Sequence, residues 1–305
     1  MNAVAGQAAA LPTRLLPRAR PSFVGAVRSE LMKIRRQALT WIILAGCVVV
    51  SAITLGSVIF GNQAAQLLAH NPRGFYFNYL QGLLTLFNTT SGVFLLLLSA
   101  RLVSLEYGSG TIRMVLARGT GRLQLLGAQF AALSISGLLF LAGFTVVCAA
   151  VLYGVVVAWH GSFSPITSLP QQAWTDTWIN LLVALTSMAV CILLGTAAAV
   201  VGRSAAFGIG AALALFPADN FGAIVMFLVN RLTHQDVWRQ TTQWFLGPTL
   251  NQLASSLQTD HTVGAVFATP LVQVDATHCW VVIGAYAFVF LATAVGLTWR
   301  RDVLH

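Results

Sequence analysis

The sequence predicts an all-α polytopic membrane protein, and three observations lead to that prediction. Apolar residues make up 57% of the 305 positions and charged residues only 8%, whereas an average soluble domain carries about 25% charged residues. The apolar residues form long runs, and roughly 20 helical residues are enough to cross a bilayer core of about 30 Å. The basic residues fall at the ends of these runs. They form no aromatic-interleaved basic patch, so no nucleic-acid partner is expected.

The amino end divides into two parts. Residues 1–21 are rich in Ala, Pro and Arg and lack the apolar core of a signal peptide, so we expect disorder there. Residues 22–37 predict an amphipathic helix that lies in the membrane interface with its cations near anionic headgroups. Its apolar positions are Phe23, Val27, Leu31 and Ile34, and its bases are Arg28, Lys33, Arg35 and Arg36.

Six membrane spans are predicted within a single transmembrane domain, 22–301, which a short tail follows at 302–305. The spans cover residues 39–60, 82–103, 123–158, 178–201, 205–229 and 279–299. Fourteen Lys and Arg lie on one side of this arrangement and three (Arg73, Arg231 and Arg239) on the other. Because short loops rich in Lys and Arg stay in the cytoplasm, both termini are predicted to be cytoplasmic.

Three outer segments connect these spans. Residues 61–80 predict a polar loop that ends in an aromatic belt, Phe75, Tyr76, Phe77 and Tyr79. A second loop is expected to run through Thr177. Residues 231–278 carry apolar clusters, which we expect to form short helices dipping into the outer leaflet. The four cysteines lie in or beside apolar runs without metal-ligand spacing, which indicates a packing role.

The basic segment Arg101–Arg122 lies between the second and third spans. Thr111 is suited to cap a short helix, with Ile112, Val115 and Leu116 on one face. That apolar face needs a partner, which is either the lipid surface or a soluble subunit. The sequence contains no phosphate-binding loop, metal motif or nucleophile motif. Any energised work must therefore draw on a partner or on an ion gradient.

Two isolated acids are candidates for function. Asp219 lies in an apolar run, where it is either a proton or substrate site or is placed near the outer interface because Pro217 kinks or ends the span. The residues favour the second interpretation. Glu106 lies near Arg101 and other bases of the central segment. It forms either a surface ion pair worth under about 1 kcal/mol or a contact that orients the central helix or meets a cation on a partner.

Three stretches resemble the permease subunits of ABC-2-type transporters, the type V exporter group. Ser29–Arg36, followed by Trp41, is similar to the family's amino-terminal elbow helix, in which Glu30, Lys33, Arg35 and Arg36 are the polar positions. Glu106–Arg113 resembles the segment that includes the coupling helix, and Trp244–Pro248 resembles the stretch before the last span. Gln129 is a departure, because many relatives have Lys there.

The resemblance implies a permease that pairs with a second copy or a related chain and binds two separate ATP-hydrolysing subunits. The chain itself would hold no cofactor, metal or catalytic residue, and ATP and Mg would be bound by the partner. By the same resemblance, Asp219 and Asn220 are candidates for the lining of the translocation path. An apolar path of this kind would suit amphiphiles, lipids or hydrophobic drugs as cargo. The implied setting is the cell membrane. The implied coupling residues are Glu106, Tyr107, Gly110, Thr111, Ile112, Arg113, Leu116 and Arg118.

Two other functions stay open at this point. One is a gradient-driven carrier that works through Asp219, and the other is a membrane scaffold or sensor that transports nothing. A proton-coupled carrier usually needs more than one acid at membrane depth, and the other five predicted spans contain none.

Overall fold

The computed structural model describes residues 22–59, 62–108, 121–162, 164–167, 169–258 and 269–300. These ranges are predominantly helical and contain no strand, so the predicted all-α membrane class is confirmed. A 3₁₀ turn covers Thr242–Trp244. The helices are α1 (Phe23–Arg36), α2 (Ala38–Ile59), α3 (Asn62–His70), α4 (Pro72–Gly108), α5 (Arg122–His160), α6 (Ser164–Thr167), α7 (Gln171–Gly202), α8 (Ala205–Thr233), α9 (Val237–Thr241), α10 (Leu246–Leu257) and α11 (Ala276–Arg300).

Within the part of the chain that the structure describes, five helices are long and apolar enough to cross a membrane. Candidate spanning segments lie in α4, α5, α7, α8 and α11. The first predicted span coincides with α2, whose apolar stretch Thr40–Val50 is shorter than the other five. The chain is therefore a multi-pass membrane protein, and the sixth span stays a prediction. The termini, 1–21 and 301–305, lie outside the described residues.

The predicted loop at 61–80 is wrong, because most of it is helical. Helix α4 begins at Pro72, a residue suited to the first helical position, and the Asn71 side chain accepts a hydrogen bond from the Gly74 amide at 2.9 Å. Phe75, Tyr76 and Tyr79 are buried and pack with residues of α5 and α7. These three rings belong to the protein core and form no aromatic belt at a membrane surface.

Three further features of the helices differ from the sequence prediction. Helix α7 begins at Gln171, so Asp176, which was expected in a loop, lies within the helix and is 2% exposed. Glu106 lies in the candidate spanning segment of α4. The prediction that the other spans contain no acid is therefore wrong. Helix α8 continues through Pro217 to Thr233, so Pro217 does not end it.

The core centres on the contact between α4 and α7. A Cβ atom added to Gly195 would lie 2.1 Å from Ser99 Oγ and 2.6 Å from the Leu96 carbonyl oxygen. Only glycine permits this approach of the two backbones. Ala199, one turn further along α7, is fully buried, so this pair of small residues packs inside the chain.

Helix α8 leaves most of its apolar surface uncovered. Only 12% of its candidate spanning residues are buried, against 67% for α4 and for α7. The Cβ position of Gly210 on α8 meets no heavy atom within 4 Å. This surface is available to lipid or to another membrane chain.

The cysteines that the structure describes have the packing role that the sequence predicts. Cys148, Cys191 and Cys279 are buried, and each packs in an apolar cluster.

Candidate functional site

The first candidate site brings α1, α4 and α5 together beside the connection between α4 and α5. Ser22 is the N-cap of helix α1, and its side chain accepts a hydrogen bond from the Gly25 amide at 3.0 Å. Glu30 and Ile34 lie one turn apart on its buried face and are 1% and 5% exposed. Helix α1 rests on α5, with Phe23 close to Gly127. The face of α1 that packs on the bundle therefore carries an acid among apolar residues.

Four polar side chains form the Lys33 cluster: Glu30 and Lys33 of α1, Glu106 of α4 and Gln129 of α5. Lys33 Nζ donates to Glu30 Oε1 and to Glu106 Oε1, both at 2.6 Å. Gln129 Nε2 donates to Glu106 Oε2 at 2.8 Å. Both carboxylates and the amide are almost fully buried, whereas the Lys33 side chain is 44% exposed. The cluster therefore links three helices through charge-assisted hydrogen bonds.

The Lys33 cluster holds two carboxylates against one ammonium. Burial raises the pKa of Glu30, and the hydrogen bond from Lys33 opposes that rise only in part. Burial acts to lower the pKa of Lys33, but the hydrogen bonds to Glu106 and Glu30 outweigh it and the pKa is raised. Lys33 is therefore held as a cation at neutral pH.

These contacts correct two sequence interpretations. Glu106 does not form a surface ion pair with neighbouring arginines, because it is 5% exposed and its cation comes from α1. The Lys33 ammonium binds the two carboxylates. The sequence marks Gln129 only as a departure from relatives, whereas in the structure its side chain is buried and donates to Glu106. A lone acid close to an apolar run needs a buried donor, and that requirement was the signal available in the sequence.

The remaining coupling and elbow residues divide into three groups. Tyr107 packs against Val103 and the end of α7. Arg35 and Arg36 are exposed, and the Arg35 carbonyl accepts the Trp41 indole N–H at 2.8 Å. The others lie outside the described residues, between Gly108 and Gly121, and they are Gly110, Thr111, Ile112, Arg113, Leu116 and Arg118.

The second candidate site lies where α8 meets the start of α10. Asp219 Oδ2 accepts the backbone N–H of Gly247 at 2.5 Å. Gly247 is in the first turn of α10, where amides have no partner within the helix, and Phe245 at the N-cap provides no side-chain bond. Asp219 therefore caps α10 from a neighbouring helix, and its negative charge suits the positive end of that helix.

The residue beside Asp219 strengthens the same contact. Asn220 Oδ1 accepts a hydrogen bond from Asn251 Nδ2 at 3.0 Å. A Cβ atom on Gly247 would lie 2.4 Å from Asn220 Nδ2, so a larger residue here would displace the Asn220 side chain. The sequence allows two interpretations of Asp219: a proton or substrate site, or an acid placed near the outer interface because Pro217 kinks or ends the span. The structure shows it inside a continuous helix, in contact with α10.

An open cavity of about 350 Å³ adjoins Asp219 between α7, α8, α10 and α11. Its wall is mostly aliphatic, with the rings of Tyr286 and Phe290 on one side.

Comparison with known proteins gives one positive finding. Residues 26–229 match the family model described as ABC-2 family transporter protein. No curated protein matches the chain. The matched range includes the Lys33 cluster, Asp219 and Asn220, and it ends before α10 and α11.

Proposed function

The chain belongs to the ABC-2 family of transporter proteins, and on this premise we propose that it is the membrane-spanning permease subunit of an ATP-driven exporter. A family member of this type is a membrane transport component and is distinct from the subunit that binds nucleotide. The proposed assembly contains two permease chains, identical or related, and two ATP-binding subunits, in the cell membrane. Both termini are cytoplasmic in this proposal, and α2 is the first of six spans.

We propose that the 106–122 segment receives force from the ATP-binding subunit. The observation that supports this role is the Lys33 cluster, whose members Glu106 and Gln129 lie in the two helices that flank that segment. Glu106 stands two residues before the end of α4, and Gln129 lies in the second turn of α5. Their hydrogen bond joins the two helices that flank the segment, and Lys33 adds α1. A push on the segment would therefore move the three helices together.

Asp219 and Asn220 are proposed to line the translocation path. Helix α8 is mostly uncovered in the single chain, so its apolar face is available to a second permease chain. The carrier alternative is the weaker candidate, because Asp219 binds a backbone amide of α10 and Glu106 binds Lys33, so these two acids act in different contacts.

Co-purification tests the proposed coupling. The chain is purified with its candidate ATP-binding subunit after Glu106→Gln, and separately after replacement of Gly110–Arg113 by alanines. We expect the second change to abolish both co-purification and stimulated ATP turnover. Glu106→Gln should keep co-purification but lower the stimulation, because the segment is then less firmly joined to α1. Asp236→Asn, at an exposed site, is the control. Wild-type turnover in both test variants would overturn the coupling role.

A further inference from the structure

The cavity beside Asp219 has the size of a small-molecule site. Its volume of about 350 Å³ lies at the lower end of the range for ligand pockets, which is roughly 300–1,000 Å³. Aliphatic side chains such as Val190, Leu194 and Leu250 form most of its wall. Leu215, at 53% exposed, stands at its opening on α8. An apolar ligand body can therefore enter from the surface of the helix bundle.

The polar atoms of this cavity are hydrogen-bond acceptors. Asp219 contributes a carboxylate, whose two oxygens can accept more hydrogen bonds than the one from Gly247. Tyr286 donates its hydroxyl proton to the Trp244 carbonyl at 3.2 Å, so only the lone pairs of its oxygen remain available. No Lys, Arg or His is among the described residues that line the cavity. The complementary ligand therefore carries positive charge.

The aromatic rings specify the kind of cation. Tyr286 and Phe290 lie one turn apart on α11, with ring centroids 6.0 Å apart and an interplanar angle of 42°. Tyr286 and Asp219 both line the cavity. A carboxylate with two aromatic rings is the chemistry that recognises substituted ammonium groups, because the ring faces attract a cation that is too bulky for close hydrogen bonding.

We propose that this cavity binds an amphiphilic organic ammonium ion, with its cationic head at Asp219 and its apolar body along the aliphatic wall. This inference rests on the proposed function in one respect: if the chain is a permease, the ligand is its cargo or a regulator of its transport. The same chemistry occurs in a free alkylammonium compound and in the choline headgroup of a lipid.

Direct binding to the full chain tests this site. The chain is placed in phosphatidylglycerol nanodiscs and titrated with radiolabelled dodecyltrimethylammonium, with dodecanol as the uncharged competitor. We expect Asp219→Asn to weaken binding by about tenfold or more, since a charged partner is lost. Phe290→Leu should weaken it by up to about tenfold through loss of a ring. The matched control is Asp236→Asn, an exposed acid outside the cavity, which should bind like the wild type.

The possible outcomes separate the proposals. Wild-type affinity in Asp219→Asn, or equal competition by dodecanol, would overturn the ammonium site. Asparagine keeps a carbonyl that can accept the Gly247 amide, and Phe290→Leu tests the same site without touching that contact. Two zwitterionic discs are then compared, so that the surface charge is the same: Asp219-dependent probe binding that is weaker in phosphatidylcholine than in phosphatidylethanolamine identifies a choline headgroup as the occupant, and equal binding identifies a free amphiphile. Asp219-dependent binding without any recruitment of an ATP-binding subunit would refute the permease role and keep the ligand site.

Discussion

Replacing Lys33 by methionine tests whether the Lys33 cluster stabilises the fold through its shared cation. The two carboxylate oxygens each lie 2.6 Å from Lys33 Nζ, so they are no further apart than twice that distance. Two like charges about 5 Å apart repel by about 3 kcal/mol at an effective dielectric constant of about 20. Methionine keeps most of the side chain's apolar length but leaves this repulsion uncompensated.

The expected loss of unfolding free energy is smaller than this repulsion. The Lys33 side chain is 44% exposed, so water partly screens the charges it contacts. One carboxylate can also take up a proton, and Glu30 is the better candidate because burial already raises its pKa. We therefore expect Lys33→Met to lower the free energy of unfolding by about 2 kcal/mol.

The assay is unfolding of the purified chain in mixed micelles with increasing denaturing detergent, followed by circular dichroism. Arg36→Met, an exposed change on the same helix, should shift the free energy of unfolding by under about 0.5 kcal/mol. Adding Glu30→Gln to Lys33→Met should recover more than half of the loss, because one of the two negative charges is removed. The electrostatic explanation is refuted if Lys33→Met behaves like Arg36→Met or if the second change recovers nothing.

Three further perturbations test the packing and the titration. Gly195→Ala should cost about 1–3 kcal/mol of unfolding free energy, because the new methyl group meets the backbone of α4 at Leu96; the same titration measures it. Gly247→Ala should speed hydrogen exchange in α10 by displacing Asn220, and adding Asn220→Ala should reverse much of that change. Folding raises the pKa of Glu30 above its ordinary value of 4.5, so the folded state binds this proton more tightly than the unfolded state does. The resulting stabilisation is fully present below pH 4.5 and is lost as the pH rises through the folded-state pKa. Melting temperature should therefore rise on acidification toward 4.5, and Glu30→Gln should flatten that rise.

Each of these predictions has a control or a contradicting result. Gly284 has no neighbour within 4 Å of its Cβ position, so Gly284→Ala should be neutral or stabilising where Gly195→Ala is not. Equal effects of the two alanines would contradict the close packing of α4 and α7. Exchange in α10 that is unchanged by Gly247→Ala would contradict the contact with α8. A melting profile that keeps its slope in Glu30→Gln would assign the acid dependence to another group.

Composition and run length were sufficient to predict the membrane class and the approximate positions of the spanning helices. Helix ends were predicted less well because they depend on local capping. Asn71 and Pro72 start α4 ten residues before the predicted span, and Pro170 precedes the early start of α7. Hydropathy does not register these signals, since the added turns mix polar residues with buried ones such as Phe75, Tyr76 and Asp176, and their average falls below that of a span.

The candidate sites were predicted only in part. Glu106 and Asp219 were identified as isolated acids, but their partners are distant in sequence: Lys33 for the first and the Gly247 amide for the second. Local spacing cannot pair residues on different helices, so Gln129 was not recognised as a donor. Resemblance to the family identified the central segment, of which the part from 109 to 120 lies outside the described residues.

The cap that α8 supplies to α10 makes these two helices thermodynamically dependent on each other. If α8 rotated or slid so that Asp219 withdrew, the Gly247 amide at the start of α10 would lose its acceptor. Unwinding of that first turn and displacement of α8 would then favour one another. Asp219 would therefore couple the two helices: any movement of α8 that withdraws its carboxylate destabilises the first turn of α10.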